Sequence, residues 1–190
     1  MMKPGQGRGG TVPAGRLIFA GVSGSPGSVH ALRRAADFAC WHDAVLVPLL
    51  AWAPPGGELA ERKTPDPELR RLWEDDAWQR LRDALGTAFG GLPHGLRTWP
   101  LVRRGSAGMV LVSAASQASD LLVIGAGRTG PLRRLTGGGV SRYCLARARC
   151  PVLAVPPPAL AREAERGLRG WAFRHHRLNP DIARLPAVTS

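Results

Sequence analysis

The chain has 190 residues, of which 44% are hydrophobic and 21% charged, a composition typical of one globular domain with some surplus. Its net charge of +12 comes almost entirely from arginine. A GC-rich gene would produce the same excess, so nucleic-acid binding is not expected. No apolar stretch approaches the roughly 20 residues of a membrane span, and residues 1–16 lack the hydrophobic core of a signal peptide. We therefore expect a cytoplasmic protein with no membrane partner.

The cysteine pattern excludes two common stabilising devices. Cys40, Cys144 and Cys150 are odd in number and have no metal-ligand spacing, so neither a disulfide framework nor a zinc site is expected. We predict buried free thiols.

The first predicted strand follows a lead of residues 1–15, which is rich in glycine, has no apolar periodicity and is predicted to be disordered. The strand runs from Arg16 to Val22. Ser25 and Pro26 then have the residue types preferred at an N-cap and at the first helical position. The sequence thus predicts a strand, a short glycine-containing turn and a helix.

The middle of the chain continues this alternation. The apolar run Ala44–Trp52 predicts a second strand, in which Pro48 is expected to cause a bulge or an early end. A loop over 54–67 precedes a helix over Glu68–Phe89, a third strand over Leu96–Val102 and a helix capped by Ser106. The apolar positions predicted to face inward in these two helices are Leu69, Leu72, Trp73, Trp78, Leu81, Leu85, Met109, Leu111, Val112 and Ala115.

The last part of the domain has the most informative pattern. Leu121–Ile124 is an unbroken aliphatic run, typical of a parallel strand covered on both faces. A glycine-rich loop follows, then a helix that begins near Val140 and a last strand over Val152–Val155. The alternation of strands and helices predicts an α/β fold with a doubly wound parallel sheet over 16–158. The basic tail, 159–190, is predicted to be partly helical.

The glycine-rich loop has the features of an anion site. It follows a parallel strand and precedes a helix, so it lies at the carboxyl end of the sheet beside free backbone N–H groups. From residue 128 to residue 149 there are six arginines and no acidic residue, which favours an anion. Because the turn after the first strand opens on the same edge, the two turns predict a crevice at the switch point of the sheet.

These segments resemble the universal stress protein family, and in particular its actinobacterial branch. Gly127 and Gly137 have the nine-residue spacing of that family's G-x2-G-x9-G-[ST] loop. The segments GVSGSPGS, GAGR and CPVLAV resemble its first turn, its glycine loop and its last strand. The resemblance covers nearly all of the chain expected to be ordered.

The resemblance implies a five-stranded parallel sheet of order 3-2-1-4-5 with helices on both faces, similar to the adenine-nucleotide alpha-hydrolases. It also implies ATP or another adenine nucleotide as ligand, with or without Mg²⁺, and a role in the stress response that depends on binding rather than efficient catalysis. A homodimer through the last strand is a further implication. The nucleotide-binding residues that it implies are Gly21, Val22, Ser23, Ser25, Gly125, Gly127, Arg128, Gly130, Gly137, Gly138, Gly139, Val140 and Ser141.

The first glycine pair, Gly125-x-Gly127, is one residue shorter than the family's G-x2-G, and two further positions depart from the family pattern. Ser23 stands where an Asp is common, and Gly138 stands where the family has Ser or Thr, so Ser141 is the nearest hydroxyl that follows it. A nucleotide-free dimeric interaction module of the same fold therefore stays open as an alternative. An enzyme is not expected, because Lys3 and Lys63 are not placed for phosphoryl transfer and no metal or catalytic set is apparent.

Overall fold

The computed structural model of the chain describes residues 13–57, 61, 65–126 and 139–158. The chain divides into two units, Met1–Pro157 and Pro158–Ser190, and the fold reported below belongs to the first. The predicted disordered lead, apart from residues 13–15, and the predicted helix of the tail lie outside the described residues.

Five strands and four helices alternate along the described chain. In order they are β1 Leu17–Val22, α1 Pro26–Trp41, β2 Val45–Trp52, α2 Pro67–Phe89, β3 Leu101–Arg104, α3 Ala107–Ala114, β4 Leu121–Gly125, α4 Val140–Arg147 and β5 Val152–Val155.

The strands form one parallel sheet of order β3-β2-β1-β4-β5, which confirms the predicted fold class. Buried side chains of α1 and α2, such as Leu32 and Leu81, pack on one face. Leu111 of α3 and Cys144 of α4 belong to the cluster on the other face. Because helices cover both faces, the strands carry nearly continuous apolar runs rather than an alternating pattern.

Pro48 does not interrupt β2, and the expected bulge or early end is wrong. It pairs with Ala20 within an unbroken register between β1 and β2. Val45 N donates toward β1, to Arg16 O, whereas Leu46 N donates to Arg97 O on the β3 side. Even-numbered residues of β2 thus direct their N–H groups toward β3, whose ladder with β2 begins only at Leu49 and Leu101. The missing N–H of Pro48 therefore leaves the β1–β2 ladder unbroken, and it falls in the gap between the Leu46–Thr98 bridge and the start of the β2–β3 ladder.

The third strand is shifted from its predicted range of Leu96–Val102. Before Leu101 only one isolated bridge, between Leu46 and Thr98, joins this segment to β2. Trp99 N donates to Leu46 O, so the next donor across this pair would be the N–H of residue 48, which Pro48 lacks. Regular pairing therefore resumes only after Pro48, and β3 is confined to Leu101–Arg104.

Several apolar residues are exposed against expectation. Leu69 and Leu72 are 39% and 64% exposed, because the buried positions of α2 begin only at Ala77. Met109 is 57% exposed, since α3 turns Gly108 and Leu111 inward instead. Cys40 is exposed too, in contrast to the buried Cys144 and Cys150.

Among the described residues, no helix combines the length and the apolar character needed to cross a membrane.

Candidate functional site

The turn between β1 and α1 lies at the carboxyl edge of the sheet. Ser25 is the N-cap of α1, as predicted: its backbone is extended and its Oγ accepts a hydrogen bond from Ser28 N at 3.3 Å. Pro26 follows as the first residue of the helix, where its fixed φ suits the first turn and its missing N–H removes no helical hydrogen bond.

Serine hydroxyls hold this turn together. Ser28 Oγ accepts from Ser23 N at 3.2 Å and donates to Ser25 O at 2.8 Å, and Ser28 is only 5% exposed. The Oγ atoms of Ser23 and Ser25 lie 3.0 Å apart on the exposed side. The sequence prediction missed Ser28, although its position three residues after an N-cap serine is a capping spacing. Ser28 therefore shapes the turn, while the hydroxyls of Ser23 and Ser25 lie on its exposed side.

The end of β4 rests directly on the first turn of α1. A Cβ atom on Gly125 would lie 3.1 Å from both C and O of Gly27 and 3.4 Å from Ser28 N. All three atoms belong to the backbone, so no side chain can rotate out of the way. A glycine at position 125 thus allows the turn after β1 and the loop after β4 to meet, as expected for strands that flank a switch point.

Gly21 and Val22 stand behind the turn rather than on its open side. A Cβ on Gly21 would meet Ile124 Cγ2 at 3.0 Å and Leu111 Cδ1 at 3.1 Å. The Val22 side chain is packed into the core. These two predicted site residues therefore place the backbone of the turn.

The start of α4 forms the other side of the crevice. Gly139 is the N-cap residue and has no side chain to cap the helix. Ser141 Oγ donates to Gly125 O at 2.8 Å and ties the start of α4 to the end of β4. Because a serine hydroxyl has a single hydrogen, Ser141 in this arrangement does not donate to a phosphate. The donors that remain for an anion at this helix start are backbone N–H groups, beside the exposed Val140.

The electrostatic character of the crevice favours an anion. Neither α1 nor α4 has an acidic residue in its first turn, and the first turn of α4 carries Arg142. A helix N-terminus has roughly half a positive elementary charge, so a cation at this position adds to the field. Within the described residues no group of three or more His, Cys, Asp or Glu side chains is arranged to hold a metal ion.

The structure thus brings together Ser23, Ser25 and Gly125, with Gly139 and Ser141 tied to them through α4. The remaining predicted residues of the loop lie outside the described residues, namely Gly127, Arg128, Gly130, Gly137 and Gly138.

The fold and this crevice define a class: doubly wound α/β proteins whose ligand site lies at the switch point of a parallel sheet. The model of the universal stress protein family matches residues 16–156. The chain belongs to this family, which confirms the resemblance seen in the sequence.

Two solved structures, with TM-scores above 0.5, show the same fold. The chain is 21% identical to the universal stress protein UspA from Lactobacillus plantarum, with a TM-score of 0.53 over 74% of this chain and 97% of that one. For the hypothetical protein MJ0577 the identity is 16% and the TM-score 0.59, over 75% and 96%. A universal stress protein solved in complex with cAMP is 25% identical, with a TM-score of 0.48 over 74% and 95%. No curated protein matches the chain.

Proposed function

We propose that this protein binds an adenine nucleotide, ATP foremost, and acts in the stress response through that binding rather than through efficient catalysis. The observation that carries the proposal is the contact of Gly125 with the first turn of α1. It joins two helix N-termini and a pair of exposed hydroxyls into one crevice at the switch point of the sheet.

The phosphates are assigned to the α4 side of this crevice. Gly139 leaves the N-terminus of α4 without a side-chain cap, and backbone N–H groups at such a terminus bind phosphate. Arg128 and the glycines from Gly127 to Gly138 are proposed to complete this side, on the sequence pattern. Mg²⁺ would accompany the phosphates rather than occupy a site of protein ligands.

The adenosine part is assigned to the turn after β1. Ser23 and Ser25 offer exposed hydroxyls there, and a neutral hydroxyl replaces the carboxylate common in the family. A charge-assisted hydrogen bond exceeds a neutral one by on the order of 1 kcal/mol. Affinity is therefore expected to be several-fold weaker than with Asp at position 23, but not abolished.

Thermal melts with and without ATP test the proposal. A ligand stabilises the native state by RT ln(1 + [L]/Kd), about 2.7 kcal/mol at 100 times Kd. We expect the melting temperature to rise by several degrees with ATP, by less with AMP, and by more with ATP in Ser23→Asp.

Gly139→Glu is the matched loss variant. A Cβ on Gly139 has no atom within 4 Å, and a carboxylate is favourable at a helix N-terminus. The variant should therefore fold normally while its charge repels phosphate, and Gly139→Gln is the neutral control of the same size. A folded wild type that shows no shift at millimolar ATP and magnesium contradicts the nucleotide proposal.

That result would favour the alternative function, a nucleotide-free interaction module. One observation supports the alternative: Ser141 donates its hydroxyl hydrogen to Gly125 O, so it does not replace the hydroxyl missing at Gly138. Both functions include a homodimer through β5, which lies at the edge of the sheet. That the protein works in the cytoplasm stays a prediction.

A further inference from the structure

A buried carboxylate, Glu61, lies outside the crevice described above. Its side chain is 5% exposed, and Arg70 in the first turns of α2 contacts its Oε1 through Nε at 2.6 Å. Arg104, the last residue of β3, donates from Nη1 to Oε1 at 3.3 Å and from Nη2 to Oε2. We call Glu61, Arg70 and Arg104 the Glu61 clasp. Sequence reasoning missed it, because an acidic residue in a loop is no signal and its partners are distant in the chain.

The clasp is attached to the carboxyl end of β2. The Arg104 guanidinium carbon lies 5.8 Å from the centre of the Trp52 ring, within the range of a cation–π interaction. Gly105 N also donates to Trp52 O at 2.8 Å. Trp52, the last residue of β2, is 6% exposed. Arg104 therefore holds the side chain of Trp52, and the adjacent Gly105 holds its backbone.

Trp52 also belongs to the part of the core that lies beneath the sequence flanks of the turn after β1. It belongs to the same cluster of packed core side chains as Val22 and Val29, and these two residues flank the turn Ser23–Ser28. Packed side chains thus connect Glu61 with both ends of the turn. A displacement of Trp52 can therefore be transmitted to the turn, because close-packed protein interiors have few voids that could absorb it.

The clasp also lies on a defined side of the crevice. Strand β2 is the neighbour of β1 opposite to β4, so the clasp is on the far side of the turn from Gly125 and Gly139. A nucleotide whose phosphates lie at α4 and which crosses β1 directs its adenosine end toward β2. The clasp stands behind that end.

We propose that Glu61 is a positioning residue for the adenosine end of the ligand. Its carboxylate holds Arg104 over Trp52 and so fixes the end of β2. This strand end and the adjacent turn after β1 form the wall against which the adenosine packs. Without the carboxylate, the two guanidinium groups repel each other, Arg104 leaves Trp52 and the wall loosens. This inference rests on the proposed nucleotide function.

Calorimetric titration of Glu61→Gln with ATP and with adenosine tests the proposal. We expect the Kd of both ligands to rise by the same factor, about tenfold, as expected for residues coupled through direct contacts. Gly139→Glu should show the opposite pattern, with a weaker affinity for ATP and an unchanged affinity for adenosine. Asp43→Asn is the control. Asp43 also accepts a hydrogen bond from an arginine, Arg97, but it precedes β2 and so lies at the amino end of the strands, opposite to the clasp. The affinities of this variant for ATP and for adenosine should both stay at the wild-type value.

Arg70→Gln provides a second, milder variant, because Arg104 still contacts both oxygens of Glu61 when Arg70 is lost. The Kd of Arg70→Gln should rise by a smaller factor than that of Glu61→Gln, and this factor should again be the same for ATP and for adenosine. The variant keeps the test available if Glu61→Gln does not fold. If Glu61→Gln and Arg70→Gln bind ATP and adenosine with wild-type affinity, the positioning role alone is overturned. The same holds if the wild type binds ATP but not adenosine. A loss for ATP that exceeds the loss for adenosine indicates general loosening and also overturns it. A wild type that binds neither ligand overturns the proposed function as well.

Discussion

Gly125→Ala perturbs the contact that forms the crevice. The added Cβ would lie 3.1 Å from C and O of Gly27, whereas carbon atoms pack best at about 3.5 to 4.0 Å. The end of β4 and the first turn of α1 must then move apart by a few tenths of an ångström. Overpacking of this kind typically costs about 1–3 kcal/mol. For a domain of this size we expect a decrease in melting temperature of roughly 2–12 °C.

Urea and thermal denaturation measure this effect, with Gly27→Ala as the matched control. Gly27 is the other partner of the same contact, yet a Cβ on it has no atom within 4 Å. Since it lies in α1, alanine there should be neutral or stabilising by up to about 1 kcal/mol. ATP affinity should fall in Gly125→Ala because the two sides of the crevice separate. A Gly125→Ala protein with wild-type stability would refute the close contact on which the site is built.

Two further predictions concern assembly and pH. Light scattering at micromolar concentration should give twice the chain mass of 20.2 kDa for the wild type. Ala154→Pro removes an N–H on the free side of β5 and should therefore give monomers. A monomeric wild type would contradict the proposed dimer. Burial, with a smaller effect of Cys150, raises the pKa of Cys144 from 9.0 to about 11. Between these values the unfolded chain loses a proton that the native state keeps, so stability should fall as pH rises, by up to roughly 3 kcal/mol at pH 11. The stability of Cys144→Ala should fall less over this pH range, whereas Cys40→Ala should lose as much stability as the wild type. An equal loss in the wild type and both variants would contradict the attribution of this pH dependence to Cys144.

The strands were predictable because local and global signals agree in this chain, and their order followed from the family resemblance. Aliphatic runs without alternation indicate strands covered on both faces, and Ser25 followed by Pro26 marks the start of α1. Pro48 shows where such reasoning fails. Whether a proline breaks a strand depends on which neighbour its missing N–H faces, and only the pairing of β2 with β1 and β3 determines that.

The two turns that form the candidate crevice were predictable because they directly follow strands in the sequence, whereas contacts between distant residues were missed. The glycines and serines of the two turns are visible as motifs that follow strands. Gly125 was predicted as part of a phosphate loop, and the structure adds that it contacts Gly27 across the crevice. The Glu61 clasp joins residues 61, 70 and 104, and no periodicity or spacing in a single sequence encodes their contact. The exposure of Met109 likewise depends on how α3 rotates against the sheet.

The convergence of α1 and α4 connects the stability of the fold with its function. Both helices begin at the carboxyl edge of the sheet without an acidic residue in the first turn, and Ser141 ties α4 to β4, which itself contacts α1. Folding therefore brings two positive helix ends together, and Arg142 adds a full charge to this region. Like charges held close together cost free energy, and a bound anion offsets that cost. Under the proposed function, the arrangement that weakens the ligand-free protein is the one that gives a phosphate its affinity. The melting shift with ATP should therefore decrease in Gly139→Glu, where a carboxylate of the chain itself supplies the anion.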